Sequence, residues 1–373
     1  EEDVWEDLRD DLLHRPEVGY DVRSTISLPI QQHVSEAMGE RQGAAIVLHV
    51  PSGEILAMVS HPSVDPNTIN LNWDALTKNE DDSPLLNRVI RGNYQPGTAL
   101  QVVLLSAMLR EGDSLSRPTA EGATPVLIPG LEEAITQVGC LQTPPDTENM
   151  TLVDAFAFAC PTPFVQALGD RISPETYESI LEQFGLLSPP PIHRLDTYTP
   201  DTQLPLAKPE NGQQITAIEA VGQGRLTVTP LQMARFIAAI ANEGNTIPLH
   251  LAEAIRAPDS RGWQPLDIPT RRPALLRNDV ALQVKEAMQY TANVSELVAL
   301  ASSLDVTIRD YTLYGHTSTA YAGQQLINWF LGFVEAPDGS AIVTVIVLED
   351  AVSPEEAASV AAAAFQAAVI ALD

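Results

Sequence analysis

Lysine is nearly missing from this chain. Of 373 residues only Lys78, Lys208 and Lys285 are lysine, and every other basic side chain is arginine. A mechanism built on a lysine base has only these three positions to draw on. Basic charge is scarce as a whole: 21 lysines and arginines stand against 49 acidic residues, a formal net charge of -28. That excess repels phosphate, which excludes nucleic acid as a partner and disfavours an anionic membrane surface. Its ordinary consequence is solubility. Cysteine is limited to Cys140 and Cys160. The pair leaves two states open, one bridge or two free buried thiols, and spacing alone favours the free state. The histidines, His14, His33, His49, His61, His193, His250 and His316, are scattered, with no His-Glu-x-x-His and no close His/Cys/Asp set. No metal and no cofactor is therefore expected. The longest apolar run near either end, Ser359 to Leu372, is alanine-rich and shorter than the roughly 20 residues a bilayer requires. It reads as a buried helix. The chain opens on Glu1 without a secretory signal, as expected where an upstream segment has been removed.

What is present describes a globular protein with a sizeable core, in one large domain or two ordinary ones. Residues 1–22 are charged and irregular and read as a linker, or the remnant of a missing pedestal domain. Ser27 to Glu40 carries Ile30, Val34 and Met38 at helical spacing. Two short apolar runs between Ala44 and Ser60 flank Pro51-Ser52-Gly53, which predicts a hairpin, and His61 to Asn67 is a Pro/Asn/Asp-rich loop. Residues 98–245 are mostly helical in pattern, broken by proline-rich loops near 117–130, 141–147 and 188–210. Three β-branched or aromatic runs follow, TLYGHTSTAY, QLINWFLGFVEA and AIVTVIVLE, the last two separated by Pro337-Asp338-Gly339. Strands at both ends with helices between predict one α/β domain. Its central antiparallel sheet is completed by the first hairpin, with the terminal helices on one face and an all-helical subregion.

Five segments, in order, carry a resemblance to a known family. They are GAAIVLHVPSGEILAMVSHPSVDPN, NRVIRGNYQPGTALQVV, TLVDAFAFACPTPF, VGQGRLTVTPLQMARFIAAIANEGN, and YGHTSTAY with NWFLGFVEAPDGSAIVTVIVLE. Together they resemble the transpeptidase domain of penicillin-binding proteins over about residues 23–350. The resemblance implies the penicillin-binding/β-lactamase-like fold for residues 23–373. It also implies a serine that attacks an acyl carbonyl and a lysine one helical turn later that handles its proton. A Ser-x-Asn loop and a Lys-Thr-Gly strand complete the family's set.

The chemistry of the three motif positions is different here. The Ser-x-x-Lys position reads Thr98-Ala99-Leu100-Gln101, the Ser-x-Asn position reads Ala159-Cys160-Pro161, and the Lys-Thr-Gly position reads His316-Thr317-Ser318 with Thr319 behind it. No lysine lies in a [Ser/Thr]-x-x-Lys or Lys-[Ser/Thr]-Gly, and no Ser-x-Asn occurs anywhere in the chain. The set has not moved elsewhere. A glutamine amide cannot accept a proton as a base. Ala159 removes the relay hydroxyl, and Pro161 removes an amide side chain and a backbone donor. Histidine at 316 is shorter than lysine and titrates near neutrality. Ser318 adds a side chain where glycine permits close backbone approach.

The expectation is a penicillin-binding-protein-like domain with Thr98, Gln101, Ala159, Pro161, His316 and Ser318 at degenerate catalytic positions. The ligand cleft would be lined by Thr98, Gln101, Cys160, Thr162, His316, Thr317 and Thr319. Thr98 is expected to be a helix N-cap after Pro96-Gly97, and His316 an ordinary strand or cleft residue. The alternative is residual acyl transfer or penicillin binding, with Thr98 as nucleophile and His316 as base. The resemblance implies cell-wall assembly proteins or a peptidoglycan stem peptide as partners. It implies a place at the extracytoplasmic face of the bacterial cytoplasmic membrane, reached through a tether outside this chain. Gly222-Gln223-Gly224 lacks the rest of a phosphate-binding pattern and does not indicate a nucleotide.

Overall fold

The apolar runs around Pro51-Ser52-Gly53 form the expected hairpin, β1 (Gly43–Val50) and β2 (Ile55–His61), paired antiparallel. Gly53 is required in the turn: its φ is +86°, and a Cβ there would come within 2.3 Å of the Pro248 carbonyl oxygen. This is a computed structural model, and it describes residues 19–119, 121–128, 137–188, 191–194, 217–258, 260–302, 310–323 and 325–372. The three late runs are β3 (Thr312–Ala322), β4 (Gln325–Glu335) and β5 (Ala341–Glu349). They join the hairpin in one antiparallel five-stranded sheet of order β2-β1-β5-β4-β3. β3 is therefore an edge strand, and its neighbour on the sheet side is β4.

The central strands are apolar on both faces because both faces are covered. Along β5, Val343, Val345 and Val347 point into one core cluster, while Ile342, Ile346 and Leu348 point into the other. The second cluster is closed by α1 (Leu28–Met38), which contributes Ile30, Val34 and Met38. The first is covered by α2 (Leu100–Arg110), α3 (Leu152–Ala157), α4 (Pro230–Ala241) and α5 (Asn278–Val294). These helices and their connections make up the all-helical subregion. The chain's last helix, α6 (Glu355–Leu372), returns to pack beside α1. Its alanines let it approach the sheet closely, and Phe365 meets Phe330 of β4 edge-on at 6.0 Å. Each aliphatic side chain so buried contributes about 1.5–3 kcal/mol.

Helix starts follow local chemistry. Thr229 caps α4 as expected: its hydroxyl accepts from Gln232 N while the Gln232 side chain accepts from Thr229 N. Two features were not expected. Asp21 and Val22, read as the end of a linker, open a strand, Asp21–Ser24, paired antiparallel with Ala252–Arg256. Cys140 and Cys160 are joined in a disulfide. The free-thiol expectation is thereby corrected, because the fold brings together two residues whose separation along the chain says nothing of their distance. Residues 1–18, most of the proline-rich loop at 188–210 and part of that at 117–130 lie outside the described residues.

Candidate functional site

The Gln95-Pro96-Gly97 turn delivers the chain into α2 through a single 3-10 turn, Gly97–Ala99. Gly97 has φ +55°, and a Cβ there would lie 2.3 Å from the Thr319 carbonyl oxygen of β3. Its N–H donates to Gly222 O at 3.0 Å. The turn is thus pressed between the edge strand and the Gly222-Gln223-Gly224 segment, and only glycine fits. This also corrects the N-cap reading of Thr98. The helix begins one turn early, so Thr98 lies inside the 3-10 turn and caps nothing. Its hydroxyl is buried and has no hydrogen-bond partner among the described residues.

Two of the three motif segments converge here. Residues two apart on a strand share a face, and His316 and Ser318 of β3 both face the turn. His316 Nε2 donates to the Thr98 carbonyl at 3.1 Å, and Ser318 Oγ donates to the Pro96 carbonyl at 2.9 Å. Trp329, the partner of Ser318 across the β3–β4 register, donates its indole N–H to the Gln95 carbonyl at 3.1 Å. Three side chains of the sheet thus occupy three carbonyls of the turn. Gln101, one helical turn beyond Thr98, is 2% exposed, and neither end of its amide has a partner among the described residues.

The His316 ring is fully buried and stacked on Phe156 of α3, with centroids 4.5 Å apart. Burial lowers its pKa to about 4; the bond to the Thr98 carbonyl pulls the other way but does not win. The ring is therefore neutral at pH 7. A carbonyl partner places the proton on Nε2, so Nδ1 carries a lone pair, and that nitrogen has no partner among the described residues.

The second motif position follows α3. Thr151 and Asp154 form a capping box at the start of that helix, and its end turns at Ala159, with φ +51°. Cys160 N then returns to Ala155 O at 2.8 Å, and Pro161 leads into the helix Thr162–Asp170. Cys160, expected in the cleft, is fully buried as half of the disulfide. Thr162 donates its hydroxyl to the Thr124 carbonyl, Thr317 is buried, and Thr319 Oγ1 donates to Asn328 Oδ1 at 2.7 Å.

Sequence reasoning overlooked Trp329, Phe156 and Gln223. Gln223 Oε1 accepts from Tyr321 N on the outer side of β3 at 2.9 Å. The only hint was the pair of glycines around it, which signal close backbone packing. As chemistry, the cluster offers the Thr98 hydroxyl, the Gln101 carboxamide and the neutral His316 imidazole, while the Ser318 hydroxyl and the Gln223 carboxamide are already engaged.

Comparison with known proteins places this geometry. Residues 43–370 match the model of the penicillin binding protein transpeptidase domain. The peptidoglycan D,D-transpeptidase PbpA of Mycolicibacterium smegmatis is 30% identical over 365 residues, covering 91% of this chain and 70% of that protein. The peptidoglycan D,D-transpeptidase MrdA of Salmonella typhimurium is 27% identical over 252 residues, covering 63% of this chain and 38% of that protein. Among solved structures, penicillin-binding protein A from M. tuberculosis as its imipenem acyl-enzyme superposes with a TM-score of 0.80 at 26% identity. It covers 98% of this chain and 83% of the other.

Proposed function

The chain belongs to the penicillin-binding protein transpeptidase family, and we propose that it serves cell-wall assembly as a binding or scaffolding member that does not form an acyl-enzyme. One observation carries this reading. The donors of His316, Ser318 and Trp329 are all spent on carbonyls of the turn that would present the nucleophile. The face that would act on a substrate holds its own backbone instead. The motif positions around Thr98 supply no cation to take its proton: position 101 is an amide, and His316 is neutral with a pKa near 4. A positioned general base is worth about 10²–10⁴-fold in rate, and groups that act as a unit fail together. The partner would be a peptidoglycan stem peptide or another protein of wall assembly, met on the outer side of the cytoplasmic membrane.

A second reading, residual acylation through Thr98, draws support from the relatives. M. tuberculosis penicillin-binding protein A is known as imipenem, ceftriaxone and penicillin G acyl-enzymes. Intact mass after incubation with a fluorescent penicillin separates the two readings. The expected result is no adduct, together with saturable, non-covalent binding of a stem peptide by calorimetry. A stable adduct mapped to Thr98 would replace the first reading with the second.

A further inference from the structure

A pairing of hydroxyl and imidazole lies at the far edge of the sheet. β2 and β3 are opposite edges, separated by four strand spacings, about 19 Å. At the end of β2, His61 Nε2 lies 2.9 Å from Ser35 Oγ of α1, and His61 Nδ1 lies 3.0 Å from the Gly39 carbonyl. A carbonyl only accepts, so Nδ1 carries the proton. Nε2 is then left with its lone pair facing the Ser35 hydroxyl, as a general base requires. His61 is 8% exposed and fixed by these two bonds, while Ser35 is half-buried.

The pair is not sealed in the core. Both residues line a cavity of about 260 Å³, walled on its apolar side by Val64, Pro84 and Leu85. Asn87 lines it too. Its Oδ1 is held by the N–H groups of Val89 and Ile90, which fixes the amide, and its Nδ2 reaches only the Met58 sulfur, at 3.4 Å. A thioether is a weak acceptor, so this amide keeps donor capacity for a carbonyl oxygen in the same cavity.

We propose that Ser35 and His61 form an acyl-accepting dyad for small carboxylic esters, independent of the Thr98 cluster. Ser35 Oγ gives its proton to His61 Nε2 and bonds to the ester carbonyl carbon. The ester C–O bond breaks, and the leaving alcohol takes the proton from Nε2. Water then gives a proton to Nε2 as its oxygen attacks the acyl carbon, and Ser35 Oγ leaves and recovers that proton. The sum is ester plus water to acid plus alcohol.

The test uses the whole chain with p-nitrophenyl acetate and, separately, a fluorophosphonate probe, followed by peptide mapping by mass spectrometry. The expected result is one probe per chain, on Ser35. Nitrophenolate release should be lost in Ser35→Ala and slowed about 100-fold in His61→Gln, with melting curves kept near wild type. A probe found only elsewhere, Thr98 included, or turnover unchanged in Ser35→Ala, would overturn the proposal. The map on the wild-type chain decides the matter even if a variant fails to fold.

Discussion

His316 shows how one substitution changes the physics of a site. Buried and neutral, its pKa lies at about 4, below the ordinary histidine value of 6.5. Above about pH 6.5 the ring is neutral whether the chain is folded or not, so stability is full there. As pH falls from about 6.5 to 4, the unfolded chain takes up a proton that the folded chain refuses, and stability is lost. Converted at about 1.4 kcal/mol per pH unit, the loss is on the order of 3 kcal/mol. His316→Gln should flatten this acid limb in urea titrations at pH 4, 5, 6 and 7; an unchanged limb would mean the ring is not buried neutral. Gln101 makes the opposite case. Both ends of its buried amide lack partners, and such orphans cost about 1–3 kcal/mol. Gln101→Met, close in volume and without those groups, should raise the urea midpoint by an equivalent of about 1–2 kcal/mol. A lower midpoint would show that the amide is satisfied in solution. That position 101 could not be a base was legible from the sequence. That its amide would be stranded was not, because it depends on which side chains fill the surroundings.

At the level of elements, the sheet was readable in advance. Turn residues at Pro51-Ser52-Gly53 and Pro337-Asp338-Gly339 separate β-branched runs whose length and composition fit strands. That the first hairpin completes the sheet of the late strands was readable too, whereas the order of the strands came only with the fold. The contact between β3 and the turn into α2 was not readable, since its partners are more than 200 residues apart, as in Ser318 to Pro96. The turn is buried from Pro96 onward and half-buried at Gln95, so the donors to its carbonyls matter to stability. Ser318→Ala should cost about 1–3 kcal/mol by leaving the Pro96 carbonyl unmet. Trp329→Phe should cost a similar amount through the Gln95 carbonyl. Differential scanning calorimetry of the two variants and of the double variant would show whether the contributions add; full additivity would argue against a single cooperative clamp.

For the whole molecule, family membership was visible in the order of five segments. The bridge was not visible, because a spacing of 20 residues is compatible with any distance in the fold. Closing a loop of that size restricts the unfolded chain by about 3 kcal/mol. Cys140→Ser with Cys160→Ser should lower thermal stability accordingly, with the penicillin test unchanged. The Asp21–Ser24 strand was hidden for another reason: a short, charged segment gives no periodic signal, and only its pairing with Ala252–Arg256 orders it. The hydrogen bond from Tyr321 N to the Gln223 side chain also matters beyond the single chain. An outermost strand with an unclaimed amide invites a neighbouring molecule to extend the ladder, and runaway stacking can follow. A carboxamide seated on that amide works as a stopper, keeping concentrated protein in discrete particles. With Gln223→Ala, light scattering should rise with concentration well before any loss of helix is detected.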